Sequence, residues 1–320
     1  MKFFIFNDTR YDFHFGCRLT INSLLDGLRN RNGIILGTSP AGYDWKVDDR
    51  VRKKIQESDV IIVNGEGTFH HNQKEAHALA DVASFCKAIH KPCYLINTVY
   101  CENDKDLAEK VKDFKKIFVR DGMSQDVLGA HGIKSKVVPD LIFKNSLRKF
   151  SSQKKGYLIT DAVSHPEILI DSNQKLFDLS RQIKSSYLPL SSHQLPIDIF
   201  SLSQIISFFT YMISTALFLI IGLFRKIPLS KRQRLYFAVS ESSYWKKIAA
   251  SESVLTGRYH GVCTAIIART PFFTLKSNSH KVESLLNDVG LGNKRLINHE
   301  DLNNLSGLIL LLSKKQKFFL

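Results

Sequence analysis

Leu255-Thr256-Gly257-Arg258-Tyr259-His260-Gly261 follows the short apolar run Ser253-Val254-Leu255 and precedes a longer one, Val262 to Arg269. The first run has the length of a strand and the second that of a helix. The stretch therefore predicts a strand-to-helix junction, where unpaired backbone N–H groups and the positive end of a helix dipole suit a phosphate or carboxylate. It places a permanently charged guanidinium (Arg258) two residues from an imidazole that titrates near neutrality (His260). A surface arginine beside a core histidine gives the same spacing, so the rest of the chain must decide between the two.

Working outward, the second half alternates strand and helix. Tyr157–Thr160, Tyr187–Leu190, Leu235–Val239, Ser253–Leu255 and Phe272–Leu275 read as strands, and Glu167–Ile183, Ser242–Ala250, Val262–Arg269 and His280–Val289 as helices. The first half does the same. Lys2–Phe6, Gly33–Leu36, Asp59–Val63, Tyr94–Asn97, Ile117–Arg120 and Ser135–Val138 are expected strands, with helices over Leu19–Arg29, Lys74–Ile89 and Ser124–His131. Short apolar strands separated by amphipathic helices predict parallel sheets covered on both faces. The serine-rich, basic stretch 146–156 reads as a linker between residues 1–145 and 157–320. The expectation is two Rossmann-like, doubly wound domains facing a cleft, with ligands at the carboxyl ends of the strands.

At 320 residues the chain has room for two such cores, and its 44% apolar and 23% charged composition is that of a globular protein. A formal charge of +15 implies an anionic partner: phosphorylated substrates, an acidic membrane face or nucleic acid. With no zinc-finger, RNP or basic-zipper pattern, nucleic acid is not expected. The five cysteines, Cys17, Cys86, Cys93, Cys101 and Cys263, make no CxxC pair. With an N-terminus that runs straight into a strand, they predict a reducing, cytoplasmic location and no structural zinc.

One segment breaks the α/β order. Residues 205–224, IISFFTYMISTALFLIIGLF, carry no charge, and Arg225, Lys226, Lys231, Arg232 and Arg234 follow. The length suits a membrane span, and the basic flank suits an anionic cytoplasmic surface. A single crossing would separate strands of one sheet, so the insertion 200–234 is expected to dip into the inner leaflet and return. The protein would then be cytoplasmic, peripherally bound to the inner face of the cell membrane.

Other motifs gather at predicted strand ends. Asn64-Gly65-Glu66-Gly67-Thr68-Phe69-His70-His71 offers a tight turn, a carboxylate and two imidazoles, although a plain βα turn explains the glycines equally well. Asn7 and His14-Phe15-Gly16-Cys17 follow the first strand, Cys17 reading as a buried structural thiol. The spacing of His14, His70 and His71 matches no standard metal site. Val119-Arg120-Asp121-Gly122-Met123-Ser124 puts Arg120 at a strand end and Ser124 at an expected N-cap; Val138-Pro139-Asp140 puts Asp140 beside the linker.

Taken in order, the glycine-rich turn, VRDGMS with Leu128, VVPD, LTGRYHG, Pro271 and Lys281 resemble the polysaccharide pyruvyl transferase family. The resemblance covers most of residues 1–145 and 235–290; Tyr259 stands where the family has leucine, and 205–224 is an addition. It implies a GT-B-like fold and transfer of a pyruvyl group from phosphoenolpyruvate to a sugar, with no other cofactor. It implies donor contacts from Arg258 and His260 with Gly257 and Gly261, helped by Arg120. Glu66, His260, His70 and His14 are the candidate acid–base groups, and Asn7, Gly65, Gly67 and His71 the candidate acceptor contacts. The expected acceptor is a sugar of a surface polysaccharide or its lipid-linked precursor. The alternative is a GT-B glycosyltransferase that uses a nucleotide-activated sugar. A non-enzymatic scaffold is disfavoured, because a scaffold has no need of convergent titratable groups.

Overall fold

The computed structural model describes residues 1–11, 14–145, 154–163, 172–190, 209, 213, 241–304 and 307–308. The chain divides into two compact units. The first comprises Met1–Asp12, Cys17–Asn145 and Ser279–Gly290; the second comprises Phe13–Gly16, Ser146–Asn278 and Leu291–Leu320.

The first unit is a six-stranded sheet in the order β2-β1-β3-β4-β5-β6. Its strands are β1 (Lys2–Asp8), β2 (Ile34–Pro40), β3 (Val60–Asn64), β4 (Cys93–Thr98), β5 (Lys116–Val119) and β6 (Lys136–Val137). All its pairings are parallel. The connecting helices are α1 (Phe15–Arg29), α2 (Asp49–Glu57), α3 (Lys74–Ala88), α4 (Lys105–Val111) and α5 (Gly122–Ala130). Strand β3 is buried along its whole length, as a strand covered on both faces must be. On one side Ile5, Val60 and Ile62 pack with Ile21, Leu24 and Leu25 of α1. On the other, Phe4, Phe6, Ile61 and Val63 join Ala76, Ala80 and Ala83 of α3. Because the chain leaves β1 for β2 on one side and β3 on the other, the strand order reverses at β1. The carboxyl ends there are the expected ligand position of an open parallel sheet.

The second unit has a five-stranded sheet in the order β11-β10-β9-β7-β8. It is formed by β7 (Tyr157–Ala162), β8 (Ser186–Tyr187), β9 (Ser253–Gly257), β10 (Phe272–Leu275) and β11 (Leu296–Ile297). These pairings are parallel too. Helices α6 (Ser172–Gln182), α7 (Glu241–Ala250) and α8 (Tyr259–Ile267) accompany them. Ile159, Leu255, Phe273 and Leu275 of the sheet pack with Leu176 and Leu179 of α6 in one core. The fold class is thus α/β with two Rossmann-like parallel sheets.

Several local readings are corrected. Helices α2 and α4 were not expected, because DRVRKKIQE offers only Val51 and Ile55 as an apolar stripe and α4 has barely two turns. Asp48 and Asp104 start them by accepting hydrogen bonds from Arg50 N and Leu107 N. Asp121, not Ser124, caps α5: its carboxylate accepts from Ser124 N at 2.9 Å, and the Ser124 hydroxyl instead accepts from Tyr100 N. Helix α9 (Lys281–Asp288), which follows β10 in sequence, belongs to the first unit. Met123 N donates to Ser284 Oγ and Gly122 N to Asp288 Oδ2, both at 3.2 Å, so α9 supplies acceptors to the open N-terminus of α5.

Of the apolar run 205–224, Phe209 and Ile213 are described, and both are exposed. The rest of that run, the expected strand 235–239 and most of the linker lie outside the described residues. Among the described residues no helix is long and apolar enough to cross a membrane.

Candidate active site

In the second unit the opening motif forms the junction its sequence predicts. Strand β9 ends at Gly257, Arg258 occupies the N-cap position of α8 in extended conformation, and His260 lies in the first helical turn. The two glycines serve close packing. A Cβ on Gly261 would lie 2.1 Å from Thr256 Oγ1 and one on Gly257 2.3 Å from Ala162 Cβ, so any larger residue would push α8 off the sheet. The Thr160 hydroxyl donates to Thr256 Oγ1 across the strands at 2.7 Å, and Thr256 Oγ1 also accepts from Arg258 N at 3.2 Å.

The Arg258 side chain is aimed by a residue that sequence reasoning missed. Asp161, at the carboxyl end of β7, is fully buried, and its Oδ2 accepts from Arg258 Nε at 2.8 Å and Nη2 at 2.6 Å. Its Oδ1 accepts from Leu190 N at 2.7 Å. With both carboxylate oxygens engaged, the guanidinium is fixed in plane while its side chain keeps 21% exposure. The signal in the sequence was an acidic residue directly after the apolar run Tyr157–Thr160.

His260 is buried, and its ring centroid lies 5.4 Å from that of His14. His14 Nδ1 accepts from Gly16 N at 3.1 Å. Gly16 has to be glycine for a steric reason, since a Cβ there would come within 2.1 Å of the His260 ring. Phe15 stacks on the buried Tyr244 at 4.9 Å, with Phe15 N donating to Leu190 O. Sequence analysis thus named three residues that meet here, His260, His14 and Gly16, with Arg258 two positions before His260 in the chain.

In the first unit a separate polar cluster occupies the carboxyl ends of β1 and β3. Glu66 is buried, and its Oε2 accepts from the Thr9 hydroxyl at 2.8 Å and Asn64 Nδ2 at 3.3 Å. Asn7 turns with φ +60°, a conformation asparagine tolerates better than most residues, and donates from Nδ2 to Asn64 O and Thr68 Oγ1. Gly67 takes φ +64°, whereas Gly65 is needed for space, a Cβ there meeting Thr98 at 2.4 Å. The expected acceptor contacts Asn7, Gly65 and Gly67 therefore surround Glu66.

His70 Nδ1 and His71 Nδ1 lie 2.9 Å apart, and His71 Nε2 pairs with Glu102 at 2.9 Å. Burial, with the charges of Lys281 and His71 and, more weakly, Arg120, pushes the pKa of His70 down to about 4, so the imidazole is neutral at pH 7. Arg120 is buried and paired with Asp140 at 3.0 Å; Asp140 also accepts from Ile142 N and Thr20 Oγ1. A second pair, the half-buried His280 with Nε2 on the buried Asp121 Oδ1 at 3.2 Å and Ser124 Oγ at 3.1 Å from the same nitrogen, escaped sequence analysis. Burial opposes the imidazolium charge, but the hydrogen bonds to Asp121 and Cys101 and the Asp121 charge outweigh it and raise the His280 pKa to about 9.

A two-unit parallel α/β architecture of this kind is GT-B-like, and solved structures share it. The UDP-GlcNAc 2-epimerase of Methanocaldococcus jannaschii, in complex with UDP-GlcNAc and UDP, aligns with a TM-score of 0.56 at 12% identity, covering 100% of this chain and 95% of that one. A Listeria monocytogenes protein described as a UDP-N-acetylglucosamine 2-epimerase aligns at 0.54 and 13% identity, covering 98% and 88%. The S. aureus MnaA–UDP structure aligns at 0.54 and 11%, covering 97% and 88%. At these identities the likeness is one of fold. No curated protein matches the sequence. The family model for polysaccharide pyruvyl transferase matches residues 14–279. The chain belongs to that family and is a transferase.

Proposed function

We propose that the protein transfers a pyruvyl group from phosphoenolpyruvate to a pair of hydroxyls on a sugar of a surface polysaccharide or its lipid-linked precursor. The observation that carries this reading is Arg258, fixed on Asp161 at the N-terminus of a nine-residue helix with His260 in its first turn. A planar cation at the positive end of a helix suits a donor bearing both phosphate and carboxylate. In this scheme a proton reaches C3 of the enol, and the cation formed at C2 is attacked by one sugar hydroxyl, which loses its proton. Phosphate then leaves, and the second hydroxyl closes the ketal with loss of its proton. His260 supplies the first proton or binds phosphate. Glu66, with neutral His70, takes protons from the acceptor. The scheme draws on no resident cofactor or metal.

The second reading, a glycosyltransferase with a nucleotide-activated sugar, is favoured by one observation: two of the structures that share the fold hold UDP. Thermal shift of the purified protein separates the two. Phosphoenolpyruvate at 100 times its dissociation constant should stabilise the fold by about 2.7 kcal/mol; a shift with UDP-sugars and none with phosphoenolpyruvate would reverse the assignment. We propose further that 205–234, apolar and then basic, holds the protein peripherally on an anionic membrane face, near a lipid-linked acceptor.

A further inference from the structure

A cavity of about 390 Å³ opens in the first unit at the carboxyl ends of β1 and β2, roofed by the start of α3. Its size is within the ~300–1,000 Å³ of small-molecule sites. Phe6 and Trp45 form an apolar floor, their rings edge to face at 5.9 Å, and the half-exposed Tyr43 stands on the rim. Trp45 is held rigid, since its indole N–H donates to Ala78 O at 3.2 Å.

The polar lining is balanced in charge. Lys46 faces Asp81 outside the cavity at 2.6 Å, Lys74 lies beside Glu75, and Asp44 accepts from Lys46 N. With each cation matched by a carboxylate, the cavity has no excess charge to recognise an anion. One group in the lining is unsatisfied among the described residues: Ser39 is 2% exposed, and its hydroxyl finds no hydrogen-bond partner there. A buried hydroxyl left unpaired costs about 1–3 kcal/mol, and a ligand hydroxyl would remove that cost. Asn7 belongs to the cavity wall, and its backbone O accepts from Asn64 Nδ2, which also donates to Glu66.

An aromatic floor, neutral balanced polarity and an unpaired hydroxyl match a ligand with one apolar C–H face and a ring of hydroxyls. We infer that this cavity is a subsite for a neutral pyranose ring of the acceptor saccharide. The inference rests on the acceptor class proposed above, but not on the donor.

The test uses the full chain with Trp245→Phe, which leaves Trp45 as the single tryptophan. Methyl β-glucoside, methyl β-galactoside, methyl α-mannoside and methyl N-acetyl-β-glucosaminide are titrated to tens of millimolar while Trp45 emission is read. At least one should give a saturable change. Ala78→Phe, on an exposed position of α3, should abolish it by blocking the cavity, and Ser39→Ala should weaken it about tenfold. Absence of saturation with every glycoside, or unchanged binding in Ala78→Phe, overturns the inference. Phosphoenolpyruvate thermal shift of the same variants reports on the donor reading separately. If that shift is absent while Ala78→Phe still abolishes glycoside binding, the subsite stands and the donor assignment falls.

Discussion

Arg258 presents both Nε and Nη2 to a single oxygen of Asp161, and the other oxygen of that buried carboxylate is taken by the Leu190 amide. The guanidinium therefore has one orientation, set by β7 and by the residues after β8, before any donor arrives. Asp161→Asn keeps the shape but replaces one charge-assisted acceptor with a neutral amide. It should weaken donor binding roughly tenfold, whereas Arg258→Lys should lose nearly as much as Arg258→Ala, because an ammonium cannot reproduce the fork. Donor affinity at fixed ionic strength checks both. Wild-type affinity in Arg258→Lys would reduce Arg258 to a diffuse positive charge.

Glu66→Gln should fold normally and bind donor, yet lose about 10²–10⁴ in kcat. The Thr9 hydroxyl and Asn64 amide that hold the carboxylate can still reach a glutamine oxygen, so what disappears is the base. Turnover near wild type would make Glu66 a turn residue and leave His70 as the acceptor base in the first unit.

The parallel order of both sheets was legible because strands such as β3 and β9 are short, buried along their length and built on apolar runs that lead into a glycine. The Arg258–His260 junction and the Glu66 turn were legible for the same reason, since chemistry-bearing residues stood directly after such runs. Asp161 was not, because its partner is 97 residues away and one acidic residue after a strand is ordinary. His280 was hidden similarly: nothing local says that α9 returns to α5 of the first unit. The cavity beside Trp45 depends on the loop after β2 meeting α3, and no periodicity reports such a meeting.

The His280–Asp121 pair makes the stability of the first unit depend on pH. The folded pKa of about 9 exceeds the ordinary 6.5, so the folded state binds the proton more tightly than the unfolded chain. Its contribution is fully present below pH ~6.5 and lost as pH rises through about 9. His280→Gln should cost about 2–3 kcal/mol at pH 6.5 and much less at pH 10. Denaturant midpoints across that range are the check, and a pH-independent difference would show that the imidazole acts uncharged.

Removing 205–224 and bridging the ends with a short polar linker should release the protein from anionic vesicles while donor binding persists. The force being removed is the proposed burial of the apolar run, while the basic residues at 225–234, each worth about 1 kcal/mol at an anionic surface, remain. Co-sedimentation with phosphatidylserine vesicles measures this, and unchanged sedimentation would assign membrane binding to other basic surfaces of the chain.

Gly16 and His260 should behave as a coupled pair. A Cβ at residue 16 would overlap Cβ, Cγ and Nδ1 of the imidazole, the nearest at 2.1 Å, and these atoms are close to the backbone and not the free end of a flexible chain. Gly16→Ala must therefore displace the His260 ring or the start of α1, at a cost of about 1–3 kcal/mol in stability. If the ring yields, kcat should fall toward that of His260→Ala with donor affinity less affected. The double variant should recover part of the stability lost in Gly16→Ala, because alanine at 260 removes the overlaps with Cγ and Nδ1 and keeps only that with Cβ at 2.3 Å. A double-mutant cycle in both stability and kcat reads this directly. Additive effects would mean that the two residues do not share this space, and that the glycine serves only the entry to α1.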